Sequence, residues 1–297
     1  MSDVIDTPLP RGEDPLEAAV APAKRDRKTL GWAFWLCIVW IGLVVLSATF
    51  ASFLGLGDPN NQDFTSINQG PSWSHLMGTD DLGRDIMSRI IYGARVSIIV
   101  GFGAMVFAMA IGGSLGMVAA YRRGAVDTFV SAASYVMLAF PALVAVIAIV
   151  SFWGHELWKI TIIIGIASTP LVYRVVRAAT LSYATRDFVT AAKAQGATDR
   201  RILVRELLPN VMPAIISFFL IGVASVIILE GALAFLGLSV QAPTASWGNM
   251  INESRTYLSQ NIWLAVFPSL AMFLFLIALN IVGDSLRSVL DVQEGKL

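Results

Sequence analysis

Six apolar runs, each close to the length that crosses a bilayer, constrain this chain more than any other feature. A spanning helix needs about 20 mostly apolar residues. Runs of that kind cover residues 31–53, 94–120, 125–153, 157–176, 211–236 and 263–283. Backbone polar groups find no water in hydrocarbon, so such segments must satisfy their own hydrogen bonds as helices. The expected fold is an all-α polytopic membrane protein with six transmembrane helices. Composition agrees: 56% of residues are hydrophobic and only 14% are charged, against about 25% charged in a soluble domain.

Charge orients these spans. With the N-terminus inside, sixteen of the 21 Lys and Arg residues fall on inner segments and five on outer ones. That is a positive-inside bias, and six spans return the C-terminus to the same side. Residues 1–30 read as a cytoplasmic disordered tail ending in the basic run Lys24-Arg25-Asp26-Arg27-Lys28, with no cleavable signal sequence. Residues 31–53 are the first helix, 54–93 an external loop with an amphipathic segment, and 94–290 a five-helix core. Residues 291–297 are a second cytoplasmic tail. A formal net charge of zero gives no case for nucleic-acid binding. The single cysteine, Cys37, excludes an intrachain disulfide, and with two histidines no metal-ligand cluster is expected.

The loop 186–210 carries the most functional information. It reads RDFVTAAKAQGATDRRILVRELLPN between two spans. The pattern predicts a short helix whose Ala191, Ala192 and Ala194 leave little bulk on one side, so another surface can approach closely. Gly196 suits the helix end because it tolerates positive φ. Thr198 or Asp199 can cap a second helix, in which Ile202, Leu203, Leu207 and Leu208 fall near one face. An ordinary cytoplasmic loop would fit the same pattern. The segment also resembles the EAA loop of ABC-importer permeases, matching at Ala191, Ala192, Gly196, Ile202, Leu208 and Pro209, with Thr190 where that motif carries glutamate. The resemblance implies a coupling helix seated on an ATPase, involving Arg186, Asp187, Phe188, Ala191, Ala192, Ala194, Gly196 and Ala197.

Two further segments sharpen the resemblance. HLMGTDDLGRDIMSRIIYGARVS, from His75, is similar to the segment before the second span in C-type dipeptide and oligopeptide permeases. GLSVQAPTASWGN, from Gly237, matches the same family as an outer loop. Locally, Thr79 or Asp80 can cap a helix, and Ile86, Ile90 and Ile91 could rest at the membrane surface. Gly283-Asp284 and Leu286-Arg287 resemble the family's closing signature, or a frayed helix end. Glu230 is an ionisable group in an apolar run, a candidate pathway residue unless it is hydrated at the outer end. Phe140-Pro141 and Pro170 interrupt spans and are candidate pathway or packing kinks.

The resemblance implies the C-type permease subunit of a peptide-class ABC importer. It implies as partners a homologous B-type permease, one or two ABC ATPases, an external substrate-binding protein and the lipid of a bacterial plasma membrane. This chain lacks a Gly-Lys-Ser/Thr phosphate loop. It is expected to be no enzyme and to bind no cofactor, ATP and Mg being held by the ATPase subunits. Nickel or glutathione importers share the motifs. A self-contained secondary transporter would keep more charge at mid-membrane and internal repeats.

Overall fold

The computed structural model describes residues 30–294. The tail expected at 1–30 lies almost wholly outside the described residues, as do the last three residues. Helix α1 (Trp32–Thr49) leads into a long irregular segment, residues 54–85. Helix α2 (Ile86–Ala108) then passes through a π-helical turn at Met109–Gly113 into α3 (Ser114–Arg122). Arg123 and Gly124 both take positive φ, 53° and 61°, which reverses the chain sharply into α4 (Gly124–Ala139). Next come α5 (Ala142–Trp153), α6 (Leu157–Ala184) and the short α7 (Asp187–Ala194). Helix α8 (Asp199–Arg201) runs through a π turn, Ile202–Leu207, into α9 (Leu208–Phe235). Helix α10 (Trp247–Ser254) lies in a loop before α11 (Trp263–Glu294).

Among the described residues, five helices are long and apolar enough to span a membrane, and a sixth span exists if α4 and α5 count as one. That pair departs from the single straight span expected at 125–153, because it bends by 84°. The cause is Pro141, which lacks an N–H and forces Phe140 into extended backbone, φ −87° and ψ 135°. Pro170 stays inside α6. Beside it, Ser168 and Thr169 hydroxyls donate to the carbonyls of Ile164 and Gly165, both at 2.8 Å. Such back-bonding occupies the hydroxyls and favours a bend.

The second span also differs from expectation. It begins at Ile86, not near Ala94, and continues unbroken for 37 residues to Arg122. The amphipathic run is its first turns. Ile86 and Ile90 are buried in the core and do not rest on the membrane surface. The cap is Asp85, which accepts the Ser88 N–H at 2.8 Å. Thr79 and Asp80 instead hold the preceding loop. Asp80 accepts from the N–H groups of Leu82 and Arg84 at 3.0 and 2.9 Å.

Glycines set how closely the spans pack. A Cβ at Gly112 would lie 2.5 Å from the Thr169 carbonyl oxygen, and one at Gly116 would lie 2.7 Å from that of Tyr173. This small-xxx-small spacing brings the α2–α3 rod against α6 backbone to backbone.

Candidate functional site

The loop after α6 folds as its residue types direct. Helix α7 ends at Gly196, φ 78°. Gly196 donates its N–H to Lys193 O at 2.9 Å and Ala197 donates to Ala192 O at 3.1 Å, a complete Schellman motif. Thr198 then caps α8, accepting the Arg201 N–H at 3.4 Å. The π turn brings Ile202 and Leu207, five residues apart, onto one fully buried side.

One residue decides which face of α7 is presented. Val189 is buried in the main core, and Phe188, Ala192 and Ala197 pack partly against it. Asp187, Thr190, Ala191, Ala194 and Gly196 are exposed. The small-residue face is therefore Ala191 and Ala194, while Ala192 turns inward. Asp187 lies in the first turn and Lys193 in the last, each at the end where the helix dipole favours its charge. The Arg186 guanidinium sits 5.0 Å from the Tyr183 ring centroid. Sequence reading missed a further contact, to the end of α3. The Tyr121 hydroxyl donates to Asp199 Oδ1 at 3.0 Å, and Lys193 Nζ lies 4.7 Å from the Tyr121 ring centroid.

At the other end of the molecule α10 packs on the first turns of α2 and the loop before it. Trp247 Nε1 donates to the Ile90 carbonyl at 3.0 Å, and its ring stands edge-on to Phe275, centroids 5.5 Å apart. Arg89 Nη2 lies 3.0 Å and Arg84 Nη2 3.4 Å from Glu253 Oε2. Arg84 Nε also meets Asp80 Oδ2 at 2.6 Å. Burial pushes the Glu253 carboxyl above the ordinary range, with Arg89 and Arg84 pulling the other way.

Glu230 belongs to the same end of the molecule. It is fully buried, and its Oε1 accepts from Ser239 Oγ at 2.7 Å and Ser246 Oγ at 3.1 Å. Ser246 Oγ in turn accepts the Asn249 N–H at 3.2 Å, capping α10. The carboxylate faces the loop folded over it. It has no solvent exposure and is not among the residues lining the cavity described next, because residues 239–246 close over that end of α9.

That cavity, about 420 Å³, lies where α4 and α5 break, between α6 and α9. Leu138, Ala142 and Leu143 line it beside the Pro141 break, and Ala167, Ser168 and Leu171 line it beside Pro170. Phe140 itself is 65% exposed. Ser168 and Ser225 are the only hydroxyl side chains in the lining, which carries no charge, and both donate to carbonyls of their own helices. Below the cavity, Arg177 grips Asp127 through two parallel contacts, 2.5 and 2.6 Å, tying α4 to α6. Sequence reading missed this pair; the signal available was a lone carboxylate inside the run 125–153 and an arginine directly after the run 157–176.

Comparison with known proteins fits this geometry. Residues 112–293 match the family described as "Binding-protein-dependent transport system inner membrane component". The chain is 38% identical over 256 residues to a dipeptide transport system permease protein DppC of Alkalihalophilus pseudofirmus, covering 84% of each chain. It is 37% identical over 254 residues to a glutathione transport system permease protein GsiD of Pectobacterium atrosepticum, covering 85% of this chain and 84% of that one. Its fold resembles a chain of the inward-facing MetNI methionine ABC transporter, TM-score 0.59 at 18% identity, over 69% of this chain and 97% of that one. Family and apolar helices together make it a multi-pass inner-membrane protein of bacteria. In this family the ATPase is a separate subunit, and an ATPase and a substrate-binding protein are implied as partners. The chain belongs to the binding-protein-dependent inner-membrane-component family and is the permease subunit of an ABC importer of the dipeptide and glutathione class.

Proposed function

We infer that this chain forms half of the pathway of a di- or oligopeptide importer, paired with a homologous permease. It docks on an ATPase through α7. The observation that carries the docking is the exposed face of Asp187, Thr190, Ala191 and Ala194, held outward by the buried Val189 and the Schellman stop at Gly196. A flat face without bulky side chains lets another surface come close. Both termini lie in the cytoplasm, supported by the charge asymmetry. The pathway half is the cavity beside Pro141 and Pro170. Its uncharged lining fits a conduit that releases its solute, with selection made by an external binding protein. ATP and Mg are bound by the partner ATPases. Nearly equal identity to the permease named for glutathione supports glutathione as the second reading.

Uptake assays with the whole importer separate these readings. Labelled dipeptide uptake, suppressed by excess unlabelled dipeptide or tripeptide and not by glutathione, is expected. Uptake of glutathione or nickel that excess peptide leaves unchanged would overturn the peptide assignment.

A further inference from the structure

Helix α7 is held at both ends. Its N-terminal end follows α6 directly, where the Arg186 guanidinium sits over the Tyr183 ring. Its C-terminal end is reached by Tyr121, from the last turn of α3. Lys193 Nζ lies over the Tyr121 ring, and beyond the Gly196 stop Asp199 accepts the Tyr121 hydroxyl at 3.0 Å. One aromatic side chain, partly buried against the core, thus grips both sides of the break between α7 and α8. Arg122 adds a looser contact, Nη2 to Asp199 Oδ2 at 3.7 Å, with both side chains more than half exposed. An exposed pair of that kind is worth little. The tyrosine, with a cation over its ring and a carboxylate on its hydroxyl, is the stronger link.

This grip lies behind the presented face. Two positions along a helix turn it by roughly 200°, so Lys193 leaves α7 on the side away from Ala191. A load on Ala191 and Ala194 is therefore directed toward Tyr121. Tyr121 in turn ends a continuous rod, Ile86–Arg122, whose 37 residues extend roughly 55 Å. The first turns of that rod bond Trp247 through Ile90 and Glu253 through Arg89. Met105, midway, lines the cavity between α6 and α9. The π turn Met109–Gly113 lies between Met105 and Tyr121, and such turns recur at functional sites.

We propose that Tyr121 is a positioning residue for coupling, which passes displacement of α7 to the α2–α3 rod and so to the cavity wall at Met105. Without its bond to Asp199, that displacement reaches the spans chiefly through α6 and α9, the helices that continue the loop. The inference rests on the docking of α7 on an ATPase.

The test uses the full importer in proteoliposomes, with labelled dipeptide or glutathione, whichever the parent complex accumulates. Uptake per ATP hydrolysed is read beside retained ATPase and melting temperature. Tyr121→Phe keeps the ring over Lys193 and loses the bond to Asp199. It should lower uptake per ATP about fivefold, the lower end of coupling between sites, with ATPase retention and melting temperature at the parent level. Asp199→Ala should match it. Asp199→Asn drops the Arg122 ion pair but keeps an acceptor for the tyrosine, and should restore most of the parent ratio. Tyr121→Phe combined with Asp199→Ala should be no worse than either alone, since the two act as one unit. A parent-level ratio in Tyr121→Phe overturns the proposal, as does an equal loss in Asp199→Asn and Asp199→Ala. A loss matched by shed ATPase or a lower melting temperature also overturns it, because the tyrosine is then only a brace. Protection of Ala191→Cys by the ATPase, read in the same preparations, separates the two claims. Protection with a parent-level ratio in Tyr121→Phe overturns the role of the tyrosine alone. Its absence from the otherwise unaltered importer overturns the docking of α7 and this inference with it.

Discussion

Trp247 donates its indole N–H to the carbonyl oxygen of Ile90, 157 positions away, at 3.0 Å. This bond joins α10 to the first turns of α2. Around it, Gly93 lies where an added Cβ would meet the Ser246 Cα at 3.4 Å, so the segments touch through backbone. The cap formed by α10 and the first turns of α2 is therefore one packed unit.

Trp247→Phe removes that donor and part of a fully buried side chain. It should destabilise the protein by about 1–3 kcal/mol. Thermal unfolding of the purified complex would read this as a lower melting temperature. An unchanged value would mean that the cap is held elsewhere.

Glu230 serves as an anchor for the loop 239–246. Glu230→Gln keeps an acceptor for Ser239 and Ser246 and should leave uptake near the parent level. Glu230→Ala strands both buried hydroxyls, at about 1–3 kcal/mol for each group left unpaired. It should reduce assembled protein and melting temperature. Loss of uptake in Glu230→Gln with full assembly would return this residue to the pathway.

Asp127 and Arg177 hold the bent α4–α5 arm against α6. The pair is partly screened by solvent, with side chains 17% and 29% exposed. A cost near 1 kcal/mol is expected for Asp127→Asn, toward the upper end for exposed pairs. Uptake should fall more than stability if the arm moves with α6. The exchange Asp127→Arg with Arg177→Asp should recover part of both. Equal uptake in all variants would remove the pair from the mechanism.

Much of the loop 186–210 was legible because its signals are local. Gly196 follows from the left-handed backbone at a helix end, and Thr198 from its spacing to Arg201. The inward turn of Ala192 was not legible. In an eight-residue helix rich in alanine, Val189 alone sets the rotation, and its burial depends on α6 and α9. The Asp85 cap was missed because Asp80, equally suited by type, is engaged by Arg84 and Arg89. The surroundings of Glu230 come from a loop that returns sixteen residues later, as Ser246 does. Local pattern cannot rank such alternatives. The bend at Pro141 was visible as a proline, but not its 84° angle.

Orientation can be read by labelling with a membrane-impermeant thiol reagent in a Cys37→Ser background. Ser246 is buried, so the neighbouring exposed Thr244 is the better external reporter. Thr244→Cys should label in intact cells, and Thr198→Cys only after lysis. The reverse pattern would invert the topology.

The docking of α7 on an ATPase is the central claim, and protection of a single thiol tests it most directly. Ala191→Cys in the Cys37→Ser background would be labelled with a membrane-permeant maleimide in inverted vesicles with and without the partner ATPase, with Thr244→Cys as control. Docking predicts ready labelling without the ATPase, strong protection when it is bound, and no change at Thr244. Equal labelling of Ala191→Cys in both preparations, with the ATPase demonstrably bound, would contradict it.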